Sequence, residues 1–284
     1  MLRNRIRETY VLWIFGGNDL VIASSTSPAG PFKLESVRPS AQALLHKTGD
    51  FSFMIDRDEK AYVIYNSAMA GINIEQLAPD YLSALGHTNP KRYSSGVFGL
   101  TDTEAPVLFR RGELYYALFD HTCCVCPYGS GVGVYTAHSP LGPYTYRGQV
   151  GRDAAGDPAT GWARDGHGAQ QCWVIQLPSG SSPEFVWIGD RWGSAPDGLH
   201  GHDLTYWQPL EFGSDGTIGQ LTFSTTSRSR WALHNRGAAH RRQRHDRHPA
   251  GHQRWPPPGC DAGVSEAIQP PYPHFRNTVK SHRW

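Results

Sequence analysis

The sequence has no apolar run near the roughly 18 residues of a membrane-spanning helix, so no membrane partner is expected. Its opening residues, Met-Leu-Arg-Asn-Arg-Ile-Arg-Glu, hold no hydrophobic signal segment, and as written the chain reads as cytoplasmic. Cysteine is scarce and odd in number: there are five, three of them in His-Thr-Cys-Cys-Val-Cys-Pro at 121–127. One disulfide among Cys123, Cys124 and Cys126 is left open, because spacing does not give connectivity. That cluster lacks the second ligand pair of a zinc site, and Cys172 alone does not supply one, so no metal site is expected. Long helices are not expected either.

What takes their place is 31 Gly and 21 Pro with 9 Trp and 13 Tyr, a composition suited to many short strands joined by tight turns. At 284 residues a substantial core fits within one all-β domain. Charge is unevenly spread. Residues 227–284 hold 11 of the 27 Lys/Arg and 3 of the 25 Asp/Glu, which makes this tail +8 and the preceding body −6. Seven of the 14 His and Pro-Pro-Pro at 256–258 also lie there. We expect a domain over 1–225 and a disordered basic tail over 226–284. Clustered Arg can neutralise phosphates, but without a reading motif or serial stacking aromatics nucleic acid is not expected as a partner. The chain reads as a monomer.

Short aromatic and β-branched segments recur: Tyr10-Val-Leu-Trp-Ile, Ala61-Tyr-Val-Ile-Tyr, Leu114-Tyr-Tyr-Ala-Leu-Phe and Phe185-Val-Trp-Ile. The matching positions Tyr10, Tyr62, Tyr115 and Phe185 follow at steps of 52, 53 and 70, and each segment has the residue types of a sheet interior. Two units share the turn Ser-Pro-x-Gly-Pro-aromatic, ending at Phe32 and Tyr144. A repeat of about 50 residues with several strands per unit is the mark of propeller blades. Four units are countable, the first lacking its beginning. The longest step reflects a Gly/Asp/Ala-rich stretch at 148–168, expected as an exposed loop.

Among acids, Glu104 precedes Ala-Pro-Val-Leu-Phe, where proline fixes the backbone and a strand begins. A carboxyl entering a propeller funnel there is partly desolvated, which favours an acid role, though a solvated turn glutamate fits the same pattern. Asp50 stands one residue before a buried-looking strand, whereas Asp56, Asp58 and Asp215 read as hairpin residues. The segment Gly189-Asp-Arg-Trp-Gly-Ser-Ala-Pro-Asp-Gly-Leu-His-Gly-His-Asp offers Arg191 and Trp192 for sugar hydroxyls and C–H faces. It fits a polar loop equally well, and nothing in the spacing of His200, His202 and Asp203 is diagnostic of a metal.

These segments together resemble glycoside hydrolase family 43, and within it the exo-β-1,3-galactanase group. Glu-Ala-Pro-Val-Leu-Phe and Gly-Asp-Phe-Ser-Phe-Met-Ile-Asp mark the broad family; His-Thr-Cys-Cys-Val-Cys-Pro and Gly-Asp-Arg-Trp-Gly-Ser-Ala-Pro-Asp-Gly mark the group. The likeness runs from about residue 10 to 223. It implies a five-bladed β-propeller with no required cofactor, a structural calcium being left open. It also implies inverting exo-hydrolysis of β-1,3-galactan from plant arabinogalactans. Glu104 matches the general acid and Asp50 the carboxylate that tunes it and holds substrate. Thr122 matches a polar sugar contact, and Asp120 at the same strand end is assigned with it. A glutamine in place of the usual base matches Gly-Ala-Gln-Gln-Cys-Trp-Val, with Gln170 favoured by strand alignment and Gln171 as the alternative. Such a residue orients water but takes no proton.

The resemblance also sets expectations the sequence departs from. A first blade and its Glu-Arg-Pro-Lys stretch would precede Tyr10, and the family implied is secreted or periplasmic. The ring as written is therefore expected to be incomplete, with about four blades. An α-L-arabinofuranosidase or β-xylosidase of the same family, or a non-catalytic propeller fragment, are the competing readings.

Overall fold

The computed structural model of the chain describes residues 1–16, 19–39, 48–67, 71–100, 103–120, 131–151, 169–178, 183–191 and 194–221. All lie within one compact unit, Met1–Asn235. The basic tail at 226–284 and the cysteines at 123, 124 and 126 fall outside the described residues.

Four antiparallel sheets make up the fold. The first runs β1 (Leu2–Asn4), β2 (Thr9–Gly16), β3 (Asp19–Ser25) and β4 (Lys33–Pro39). The second holds β5 (Thr48–Ile55), β6 (Ala61–Ser67) and β7 (Ile72–Gln76); the third β8 (Val107–Arg111), β9 (Leu114–Phe119), β10 (Val132–Ala137) and β11 (Thr145–Val150). The fourth holds β12 (Gln170–Leu177), β13 (Glu184–Arg191) and β14 (Leu204–Pro209). In each sheet neighbouring strands follow one another in sequence. This is the all-β architecture of successive propeller blades, in an incomplete ring. The one α-helix among the described residues, α1 (Pro90–Tyr93), is a single turn.

Each of the four recurring segments lies in the second strand of its sheet: β2, β6, β9 and β13. Their apolar character on both faces has a direct cause. Side chains alternate along a strand, and β6 and β9 each pack against a sheet on either side. In β6, Ala61, Val63 and Tyr65 face the first sheet with Val11, Trp13 and Ile22, while Tyr62 and Ile64 face the third with Leu108, Tyr115 and Phe119. In β9, Tyr116 and Leu118 turn the other way, toward Phe185 and Trp187 of the fourth sheet.

Two expectations are corrected. The first sheet does not lack its beginning, since β1 pairs with β2 in the register Leu2↔Val11. The Gly/Asp/Ala-rich stretch is not loop from its start, because residues up to Val150 complete β11; 152–168 lie outside the described residues. The recurring turn is structurally the same in both places and joins the third and fourth strands of its sheet. Gly30 and Gly142 have φ of +83° and +84°, and an added Cβ would come within 3.1 Å of the Phe32 or Tyr144 ring, so both demands select glycine.

Polar ties also cross between sheets. Asp56, expected only as a hairpin residue, is buried and joins the second sheet to the third: its Oδ1 accepts from Arg110 Nη1 at 2.9 Å and its Oδ2 from Tyr115 Oη at 2.5 Å. Burial alone would raise this carboxyl, but the Tyr115 and Arg110 hydrogen bonds and the Arg57 N–H outweigh it and hold it below its usual range. Asp56 therefore contributes stability that is present above about pH 4 and lost as pH falls through its lowered pKa. Asp56→Asn is expected to cost about 3 kcal/mol at pH 7, the low end for breaking a buried pair. Urea unfolding from pH 7 down to 3 should show the difference shrinking; a constant difference would contradict the assignment.

Candidate active site

The opening strands of three sheets converge on one place. Asp50 lies near the start of β5, Glu104 just before β8, and Gln170 at the start of β12. Two of these strands are irregular there: β5 shifts register against β6 between Thr48 and Phe51, and β12 against β13 between Gln171 and Trp173. Such bulges re-aim side chains and break pairing beside sites.

Glu104 is held through its backbone. Its N–H donates to Asp120 Oδ1, its carbonyl accepts from Asp120 N at 3.1 Å, and the next N–H, of Ala105, donates to Asp50 Oδ2 at 3.0 Å. Ala105 has φ +48°, a left-handed conformation costly for a residue with a Cβ. Two carboxylates from different sheets thus grip the peptides around this strained point. Gln170 Nε2 donates to Asp120 Oδ2 at 2.8 Å and reaches Glu104 Oε2 at 3.4 Å. Gln171 also borders the cavity beside them, but its Oε1 accepts from Trp187 Nε1 in the core. The two glutamines are therefore distinguished: only Gln170 reaches Glu104.

Beside this knot is a cavity of about 440 Å³, within the range of small-ligand pockets. Asp50, Ala105, Pro106 and Gln170 line it, together with aromatic Phe15 and Trp173 and a further carboxylate, Asp190. Trp173 and Phe15 are 37% and 41% exposed. The sequence does not single out Trp173, although its neighbour Val174 faces the core and alternation turns Trp173 away. Asp190 lies in the Gly-Asp-Arg-Trp segment, where Arg191 and Trp192 stand out instead; it joins the site because β13 pairs it with Gln170. Cys172 is also in the wall; burial, then the nearby Asp190 charge and hydrogen bond, push its thiol up to about 12.

A family model, glycosyl hydrolases family 43, matches residues 8–218. The chain belongs to this family. No curated protein matches it. Among solved structures it is similar to an exo-β-1,3-galactanase from Clostridium thermocellum, at 19% identity and TM-score 0.60, covering 76% of this chain and 46% of that one. An exo-β-1,3-galactanase variant from Phanerochaete chrysosporium, crystallised with β-1,3-galactotriose, matches at 21% and 0.58 over 78% of this chain and 47% of that one. An endo-1,4-β-xylanase from Bacteroides thetaiotaomicron matches at 20% and 0.54 over 78% and 74%. The chain thus spans less than half the length of the two galactanases.

Within this family 43 domain the remaining candidates separate. Asp120, expected as a sugar contact, is 0% exposed, and its oxygens are taken by Glu104 and Gln170; a direct contact gives way to a place behind the site. Arg191 ends β13 opposite Leu204 and is not among the described wall residues. Thr122 and Trp192 lie outside the described residues. His202 and Asp203 serve the loop before β14, bonding Asp197 Oδ2 at 2.6 Å and Ala195 N at 2.9 Å. Among the described residues no group of three His, Cys, Asp or Glu is placed to hold a metal.

Burial raises the Asp120 carboxyl to about 6, against the hydrogen bonds from Gln170 and the Glu104 N–H, with the Glu104 and Asp50 charges adding to the rise. A carboxyl whose folded pKa lies above its unfolded one contributes stability fully present below about pH 4 and lost as pH rises through 6. The unfolding free energy of the native chain relative to Asp120→Asn is expected to fall by roughly 2 kcal/mol between pH 4 and 7. Urea titrations at several pH values check this; a pH-independent difference would show that Asp120 does not titrate there.

Proposed function

We propose that this chain carries the catalytic centre of a glycosidase that releases galactose from β-1,3-linked galactan, as in plant arabinogalactans, by a single displacement with inversion. The observation that carries the reading is the meeting of Glu104, Gln170 and Asp50 from three sheets beside one cavity with an aromatic wall. Family membership and the fold shared with galactanases support the substrate class.

Glu104 gives its proton to the leaving glycosidic oxygen as the bond to the anomeric carbon breaks. Water attacks that carbon from the opposite face, oriented by Gln170. Its proton goes to Asp190, the carboxylate that pairs across the strands with Gln170 in the same cavity wall. Asp50 fixes the Ala105 peptide and so the bearing of Glu104, while Trp173 and Phe15 offer flat apolar surface to the sugar's C–H face.

Glu104→Gln is expected to lower galactose release from β-1,3-galactan by roughly 100-fold or more; equal release by both proteins would remove Glu104 from the mechanism. NMR of the first product should show α-galactose, and β-galactose would overturn inversion. Asp190→Asn is expected to lose a factor of about 100, restored in part for Asp190→Ala by added azide. Unchanged turnover would exclude Asp190 as proton acceptor. The similarity to a xylanase favours a pentose substrate as the second reading. Release from xylan or an aryl arabinofuranoside, with galactan untouched, would establish it, and inertness of a cooperatively folded chain toward all three would mark a non-catalytic domain.

A further inference from the structure

Asp120 is fully buried, and its two oxygens meet donors of different kinds: the Glu104 peptide N–H on Oδ1 and the Gln170 side-chain amide on Oδ2. A primary amide has a donating end and an accepting end of nearly equal shape, so packing does not choose between them and a polar partner must. An ionised carboxylate accepts and cannot donate. Against Asp120, Gln170 presents Nε2 at 2.8 Å.

We propose that Asp120 is a positioning residue that fixes which way the Gln170 amide faces, so that Oε1 is the end offered to the reacting water. This rests on the reading of Gln170 as the water-orienting group. The same orientation acts on the acid. The NH₂ group that bonds Asp120 also reaches Glu104 Oε2 at 3.4 Å, which makes that oxygen an acceptor and leaves Oε1 of Glu104 to carry the transferable proton. The Glu104 N–H bond to the Asp120 carboxylate and the Asp120 N–H bond to the Glu104 carbonyl hold the acid in register with this contact. One buried carboxylate thus sets the polarity of both groups that flank the scissile bond, without touching substrate.

A charge-swap cycle in the full 284-residue chain tests this. Asp120→Asn keeps the shape but replaces one acceptor by a donor. Its Oδ1 remains on the Glu104 N–H, and its NH₂ obliges Gln170 to turn Oε1 inward and present NH₂ to the cavity. On β-1,3-galactan kcat is expected to fall roughly 10- to 100-fold, as for other residues that orient a reacting group, with KM within about threefold. Gln170→Glu alone sets a second carboxylate against Asp120 and should lose activity as well. In the double variant the introduced amide NH₂ donates to one oxygen of the introduced carboxylate while its other oxygen faces the water, and kcat should recover about tenfold over either single.

Additive losses, or wild-type kcat in Asp120→Asn, would overturn the proposal. A chain inert on every sugar would sink the glycosidase reading instead, and thermal unfolding of the same four proteins would then decide the amide contact. Both singles should lower Tm and the double should regain most of it; additive Tm losses would overturn the pairing.

Discussion

Among the described residues no strand is shared between two sheets, so the fold is held by side chains packed into the seams between sheets, and every other feature rests on those seams. Hydrogen bonding is spent within each sheet, where it completes the ladders. What joins sheet to sheet is the interleaving of β2, β6, β9 and β13 residues with their neighbours. Burying one large apolar side chain in such a seam is worth about 1.5–3 kcal/mol, and β6 and β9 contribute several on both faces. Polar ties such as Asp56 with Arg110 and Tyr115, Asn4 with the Pro79 carbonyl and Trp13 with the Tyr81 carbonyl act as register pins between surfaces that apolar contact alone would allow to slide.

This division of labour leaves the opening strand of each sheet available for chemistry. The opening strands β5, β8 and β12 are edges, paired on one side only among the described residues. Asp50 sits in the β5 bulge, Glu104 stands just before β8, and Gln170 is the first paired residue of β12, next to its bulge. A buried carboxylate behind them is costly unless each oxygen has a donor; Asp120 has the Glu104 peptide and the Gln170 amide. The desolvation that raises Asp120 also strengthens those bonds, because hydrogen bonds in a low-dielectric interior are less screened than those in water.

Local chemistry made much of this legible. The propeller reading followed from the spacing of four aromatic segments, because a strand covered on both faces must be apolar at consecutive positions and few other settings require that. The recurring Gly-Pro turn was readable for a similar reason: only glycine accepts φ near +84° against an aromatic ring. Glu104 and Asp50 stood out by their place at strand starts. Where the reading went astray, the signal was not local. Asp56 looked like any hairpin aspartate until Arg110 and Tyr115, more than 50 positions away, reached it. Asp120 looked like a sugar contact because its strand end was correct, and nothing nearby in sequence told that both its oxygens were engaged.

By itself the sequence determined the all-β class, the central strand of each sheet, the turns and the family, since these depend on residue type and short-range period. Tertiary structure alone decided which of two adjacent glutamines reaches Glu104, that Asp190 and Trp173 line the cavity beside it, and that Asp120 is buried behind Glu104 and Gln170. The physical reason is distance along the chain. Glu104 and Gln170 are 66 residues apart and Asp50 and Ala105 are 55 apart; such contacts exist only after the seams have set three sheets side by side.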